Sequence, residues 1–117
     1  MSSEQREWRH FVEDMLHAIE RIQQRIVGNS FEDFAGDADS LEIVAWNFLI
    51  LGEAAGHIPI GVSDTHPGLP WADMRAMRNR IVHGYFSLDA KILWDTATDE
   101  IPALVPARCA LVSDDGD

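Results

Sequence analysis

The chain has 117 residues, of which 46% are hydrophobic, so it is long enough for one domain with its own core, and its one cysteine, Cys109, excludes an internal disulfide. No apolar stretch approaches the roughly 20 residues of a membrane span, and the amino terminus lacks the apolar segment of a secretory signal. We therefore expect a cytoplasmic protein without a membrane partner. The formal net charge of −11 argues against a general nucleic-acid coat and favours a basic partner.

The first part of the sequence predicts one long helix and an acidic connection. Apolar residues recur every three or four positions over residues 8–26, which is typical of an amphipathic helix, and Gly28 is a suitable stop. The acidic stretch 29–40 predicts a connection with one short helical turn. At its end, Asp39 and Ser40 are candidate N-caps for the next helix.

A second helix is predicted over about residues 41–57. It is apolar on almost every side, which indicates a central position in a bundle or an interface between subunits. Gly52 and Gly56 make its end thin enough for another helix to approach closely. The four tryptophans fall one in each predicted helix, so we expect them in the core: Trp8, Trp46, Trp71 and Trp94.

After a loop rich in proline and glycine over residues 58–70, a third helix is predicted from Trp71 to about His83. A fourth begins near residues 87–88, with a break or kink near residue 99 because Pro102 and Pro106 follow, and with a second piece that ends before residue 113. No segment alternates in hydrophobicity like a strand. The sequence therefore predicts an all-α bundle, one domain over residues 1–113 and an acidic disordered tail over residues 114–117.

Basic residues are concentrated in the third helix. Eight of the nine basic residues are arginines, and none lies between residues 26 and 74, after which Arg75, Arg78 and Arg80 follow within six positions. A guanidinium group suits bidentate contact with phosphate. Any anion-binding surface is therefore expected near residues 75–83, with Arg75 and Arg80 as phosphate contacts.

The same helix carries Arg78, Asn79, His83 and Tyr85. At about 100° per residue, Arg78 and Tyr85 lie within about 20° of each other, while Asn79 and His83 lie together on another side. Arginine and histidine without paired carboxylates suit metal-free RNA cleavage, in which His83 moves a proton and Arg78 stabilises charge on the phosphate. A second histidine from a symmetric partner would complete the acid–base pair. The alternative is a solvated flank on which His83 bonds the last helix carbonyls.

The segment 77–86, MRNRIVHGYF, resembles the R-x4-H-x-Y signature of HepT-like HEPN toxins. Other landmarks match in the same order, and the resemblance covers about residues 10–108. They are SFEDF at 30–34, LGEAA at 51–55, LPW at 69–71, and LWD at 93–95 followed by IP at 101–102.

The resemblance implies an up-down HEPN bundle of four to five helices that dimerises through the motif-bearing helices. It implies a metal-independent endoribonuclease without a cofactor, acting on tRNA or mRNA as the toxin of a type VII HEPN/MNT toxin–antitoxin system. Arg78 and His83 match the family's RNase site, with Asn79 beside them. Tyr85 matches the tyrosine that the partner antitoxin, a minimal nucleotidyltransferase (MNT), adenylylates. A phosphate added beside Arg78 would occupy the RNA site.

The acidic residues leave alternatives open. Glu53 either lies near Arg78 and orients its guanidinium, as the resemblance implies, or faces solvent. Carboxylate-x-x-His pairs at 7–10 and 14–17 have the spacing of metal sites in bundles, but no second helix repeats them, so we expect surface charge and no metal. The acidic surface also favours an alternative function, a non-catalytic dimeric module that binds a nucleotide or the nucleotidyltransferase.

Overall fold

The structure, a computed structural model, describes the backbone of residues 3–116 and the side chains of residues 8–85, 87–102 and 104. This part of the chain is helical and has no strand, so the all-α prediction is confirmed. In chain order the helices are α1 (Ser3–Ile26), α2 (Phe31–Ala35), α3 (Ala38–Gly56), α4 (Ile60–Ser63), α5 (Trp71–Gly84), a 3-10 turn (Tyr85–Ser87) and α6 (Ala90–Gly116). None of the described helices is both long and apolar enough to cross a membrane.

Local backbone interactions explain where α1 ends and where α2 begins. Gly28, just after α1, has a φ of +79°, a left-handed conformation that glycine adopts without strain. The short turn predicted in the acidic stretch is α2, which starts with a capping box. Its Asp33 backbone N–H donates to Ser30 Oγ at 3.1 Å, and the Ser30 N–H donates to Asp33 Oδ2 at 3.2 Å.

The N-caps predicted for α3 are wrong, because the helix begins at Ala38 and Asp37 is its N-cap. Asp37 Oδ1 accepts from the Asp39 backbone N–H at 3.1 Å, and Ser40 Oγ donates to Asp37 Oδ2 at 2.8 Å. These bonds lower the pKa of Asp37, the Ser40 hydroxyl being the main cause. Asp39 and Ser40 therefore lie inside the helix, where they satisfy the cap.

Of the break or kink predicted in the last helix, the break is wrong, because α6 continues through Pro102 and Pro106. A proline inside a helix costs about 3 kcal/mol, whereas each fully buried aliphatic side chain contributes roughly 1.5–3 kcal/mol, so packing outweighs the local cost. The buried side chains recur at helical spacing: Leu93, Ala97, Ile101 and Leu104. The backbone of α6 extends to Gly116, into the predicted tail, while Asp117 and the Cys109 side chain lie outside the described residues.

Helix α3 is the centre of the bundle, packed against α1 on one side and α5 on another, while α1 also packs against α6. One stripe of α3 stays exposed, and Trp46 on it is 61% accessible. The prediction that the tryptophans are in the core is correct for Trp8 but wrong for Trp46, and Trp71 and Trp94 are partly buried.

Helices α3 and α5 approach each other most closely at Gly52. A Cβ atom added there would lie 2.7 Å from the Met74 carbonyl oxygen and would overlap the Cβ of Arg78. The thin helix end that the sequence predicts is therefore present. Its consequence is that Arg78 lies directly against α3.

Candidate active site

Helix α5 separates an apolar side from a polar side. Met74, Met77 and Ile81 are buried in the core, as their spacing predicts. Arg78, Asn79 and His83 lie outside this buried row, as does exposed Val82. The helix ends at Gly84, and the 3-10 turn that follows begins with Tyr85.

The Arg78 guanidinium is held by two acceptors. Its Nε donates to Glu53 Oε1 at 2.5 Å, and its Nη1 donates to Asn79 Oδ1 at 3.0 Å. Of the two positions left open for Glu53, the structure thus shows the contact with Arg78. The pair is partly solvated, since the side chains of Arg78 and Glu53 are 34% and 49% exposed. A guanidinium group has five N–H donors, so donors remain for a ligand.

This ion pair lies in an open cleft of about 250 Å³ between α5 and the carboxyl end of α3. We call it the arginine cleft; its lining residues are Gly52, Glu53, Gly56, His57, Arg75, Arg78 and Asn79. The structure therefore brings together four of the predicted site residues. The sequence patterns did not single out His57 for this site, although its spacing of four residues from Glu53 places both on one side of α3.

His83 and Arg80 are exposed residues of α5 that do not line the arginine cleft. In an α-helix, His83 is displaced from Arg78 by about 140° around the axis and about 7.5 Å along it, and Arg80 by about 160° around it. Within one chain, His83 is therefore not part of the arginine cleft. The roles of His83 and Arg80 stay predictions.

Tyr85 lies where two other grooves meet, and its side chain is 42% exposed. One groove, of about 250 Å³, includes Leu41 and Leu88. The other, of about 450 Å³, is mostly apolar, and we call it the apolar groove. Its lining residues are Glu42, Trp46, Leu49, Ile81, Val82 and Tyr85.

The charged groups outside the arginine cleft differ in their ion pairing and in their pKa. In the part of the chain that the structure describes, no group of three or more His, Cys, Asp or Glu is placed to hold a metal ion. On α1, exposed His10 lies 3.9 Å from Glu13. On α6, burial raises the pKa of Glu100 to about 7, with Asp73 as a second cause. Glu100 therefore carries only part of its formal charge at neutral pH.

The all-α fold, with Arg78 and His83 on α5 and Tyr85 directly after it, is that of a HEPN-type helical bundle. A family model described as "Ribonuclease HepT-like" matches residues 15–109, which include both the arginine cleft and the motif. The chain belongs to this HepT-like ribonuclease family, and the resemblance seen in the sequence is confirmed.

Relatives with curated names agree with the family. The chain is 36% identical over 99 residues to "Probable ribonuclease HepT" of Thermococcus cleftensis. The matched region covers 85% of this chain and 90% of that protein. It is 33% identical over 96 residues to "Putative RNase TTE0752" of Caldanaerobacter subterraneus subsp. tengcongensis, with coverage of 82% and 86%. No solved structure matches the chain.

Proposed function

We propose that this protein is a metal-independent endoribonuclease, the toxin of a type VII HEPN/MNT toxin–antitoxin pair that acts in the cytoplasm on tRNA or mRNA without a cofactor. The observation that carries the proposal is the Arg78 guanidinium, held by Glu53 and Asn79 in an open cleft on the helix that also bears His83. Membership of the HepT-like family and the names of the relatives support the reaction class.

Arg78 binds the scissile phosphate. Because Glu53 and Asn79 already fix the guanidinium, it stabilises the charge that develops on the phosphate without reorganising. Arg75 lies one turn earlier and adds a second positive charge to the cleft. In the reaction the ribose 2′-oxygen attacks phosphorus and the bond to the 5′-oxygen breaks. His83 accepts the 2′-hydroxyl proton or donates a proton to the leaving oxygen.

The active assembly is a homodimer formed through α3 and α5. Two observations support this proposal: His83 does not line the arginine cleft of its own chain, and the apolar groove exposes Trp46 and Val82 next to the motif. A second copy packed on this groove places two motif-bearing helices together. Two His83 side chains then supply an acid and a base for the same reaction.

The partner antitoxin, a minimal nucleotidyltransferase, inactivates the enzyme by adenylylating Tyr85. This residue is 42% exposed and begins the 3-10 turn directly after the helix that bears Arg78. The added nucleotide brings a negative phosphate toward the RNA site and bulk into the grooves beside Tyr85. Both effects oppose RNA binding.

The test is cleavage of a labelled tRNA pool and a labelled mRNA in EDTA by protein whose Tyr85 is shown to be unmodified by intact mass. We expect wild type to cleave, and Arg78→Ala and His83→Ala to lose roughly 100-fold or more in rate while remaining folded. His10→Ala, which changes an exposed histidine on α1, is the matched control and should cleave like wild type. Equal cleavage by His83→Ala would contradict the assignment.

A further inference from the structure

His57 is held in a defined orientation that the proposed chemistry does not use. It is the C-cap residue of α3, and its backbone N–H donates to the Ala54 carbonyl oxygen at 3.0 Å. Its imidazole stacks on Phe11 of α1, with 4.4 Å between ring centroids and 10° between ring planes. Stacking covers one face of the ring and leaves the two nitrogens on the ring edge.

His57 lines the arginine cleft together with Arg75 and Arg78. Arg78 is already paired with Glu53, whereas no described carboxylate forms an ion pair with His57 or Arg75. Gly56 also lines the cleft, and a Cβ added to it would meet nothing within 4 Å. The cleft thus has unpaired N–H donors and open space beside the ion pair.

An anion suits these donors. The carboxyl end of α3 carries the negative end of the helix dipole, so any attraction for an anion there must come from side chains. Arg75 and His57 are the side chains of the cleft that can provide it without breaking an existing pair. Arg75 and Arg78 lie three residues apart on one helix face, which places their Cβ atoms about 5–6 Å apart.

We propose that His57 and Arg75 form a second phosphate subsite, which binds the RNA phosphate next to the scissile phosphate on Arg78. The proposal rests on the proposed function and extends it from the scissile phosphate to a second phosphate along the same RNA strand. Single-stranded RNA enters along the carboxyl end of α3, with His57 donating a hydrogen bond to a phosphate oxygen.

Two substitutions separate this role from a structural one. His57→Phe keeps an aromatic ring that stacks on Phe11 but has no N–H donor. His57→Arg restores donors and positive charge on a planar group that can also stack. If His57 serves only to pack against Phe11, the phenylalanine variant is neutral. If it binds phosphate, phenylalanine weakens RNA binding and arginine retains it.

The experiment measures the Kd of a labelled single-stranded RNA at several salt concentrations, with each variant made in the cleavage-deficient His83→Ala background. We expect His57→Phe to raise Kd roughly 3- to 10-fold and to make log Kd less dependent on log salt, by up to about 0.7 in slope. His57→Arg should stay within about twofold of the parent, as should His10→Phe, the control on α1. Unfolding curves show that each variant is folded.

The outcomes distinguish the two proposals. If wild type cleaves RNA and His57→Phe binds like its parent, the subsite is wrong and the proposed function stands. Equal weakening by His57→Phe and His57→Arg also overturns the subsite, because the donor then does not matter. If the parent binds no RNA and wild type cleaves none, both proposals fall.

Discussion

The Arg78–Glu53 ion pair connects α5 to α3. It contributes more to the orientation of the Arg78 guanidinium than to the stability of the fold. Both side chains are partly exposed, and a solvated ion pair of this kind contributes about 0–1 kcal/mol to the free energy of unfolding. The same contact fixes the plane of the guanidinium, together with Asn79. A group that must stabilise a transition state loses much of its effect when it is free to rotate.

We therefore expect Glu53→Ala to lower kcat for RNA cleavage roughly 10- to 100-fold, because Arg78 loses the acceptor that orients it. KM should change less than kcat, and the free energy of unfolding should fall by less than about 1 kcal/mol. Glu32→Ala removes an equal charge from exposed α2 and is the control for both measurements. A wild-type kcat for Glu53→Ala would show that Arg78 needs no orienting partner.

Individual residues show how much of the site could be predicted from the sequence alone. Arg78 and Asn79 were predicted at the site from the motif, whereas the sequence left Glu53 open between a contact with Arg78 and a position facing solvent. The exposure of Trp46 was not predicted, because the sequence of a helix that is apolar on all sides does not reveal which side stays exposed. His57 was missed because its place in the cleft depends on stacking with Phe11, which lies on a different helix.

At the scale of helices, the site depends on how closely α5 approaches α3. Gly52 is the point of contact, with no room for a side chain between the Met74 carbonyl and Arg78. Gly56, one turn later, borders open space. The separation of the two helices is therefore set at one glycine, and the arginine cleft opens just beyond it.

Gly52→Ala should destabilise the protein by about 1–3 kcal/mol, because the new methyl group forces α3 and α5 apart. Gly56→Ala is the matched control. Its methyl group meets nothing, so the better helix propensity of alanine should leave stability unchanged or raise it by up to about 1 kcal/mol. Denaturant unfolding measures both. Equal stability of the two variants would mean that the helices can separate at no cost.

Helix boundaries show the same dependence on tertiary packing. The composition of residues 29–40 predicted the short helix α2 and an N-cap near its end. It did not reveal which of three neighbouring polar residues, Asp37, Asp39 or Ser40, caps α3. Proline predicted a break in α6 that the buried row from Leu93 to Leu104 overrides. Local propensities located the helices, and packing decided how far two of them extend.

At the scale of the whole molecule, the net charge affects RNA binding and the exposed apolar surface affects association between subunits. In the proposed dimer the formal charge of −11 would double to −22, so the overall field would repel RNA and the proposed binding would depend on the arginine cleft. The side of the molecule formed by α3 and α5 also exposes Trp46 and Val82, at 61% and 49%. Apolar side chains that lie together beside the motif favour an interface between subunits.

Trp46→Glu should therefore convert the protein from twice the 13.1 kDa chain mass to a single chain, because it places a charge in the apolar groove. RNA cleavage should fall with it, since a monomer lacks the second His83. Val27→Glu is the control, because Val27 is 71% exposed and lies outside the groove. Light scattering after gel filtration gives the mass. A Trp46→Glu dimer, or a wild-type monomer that cleaves RNA, would contradict this interface.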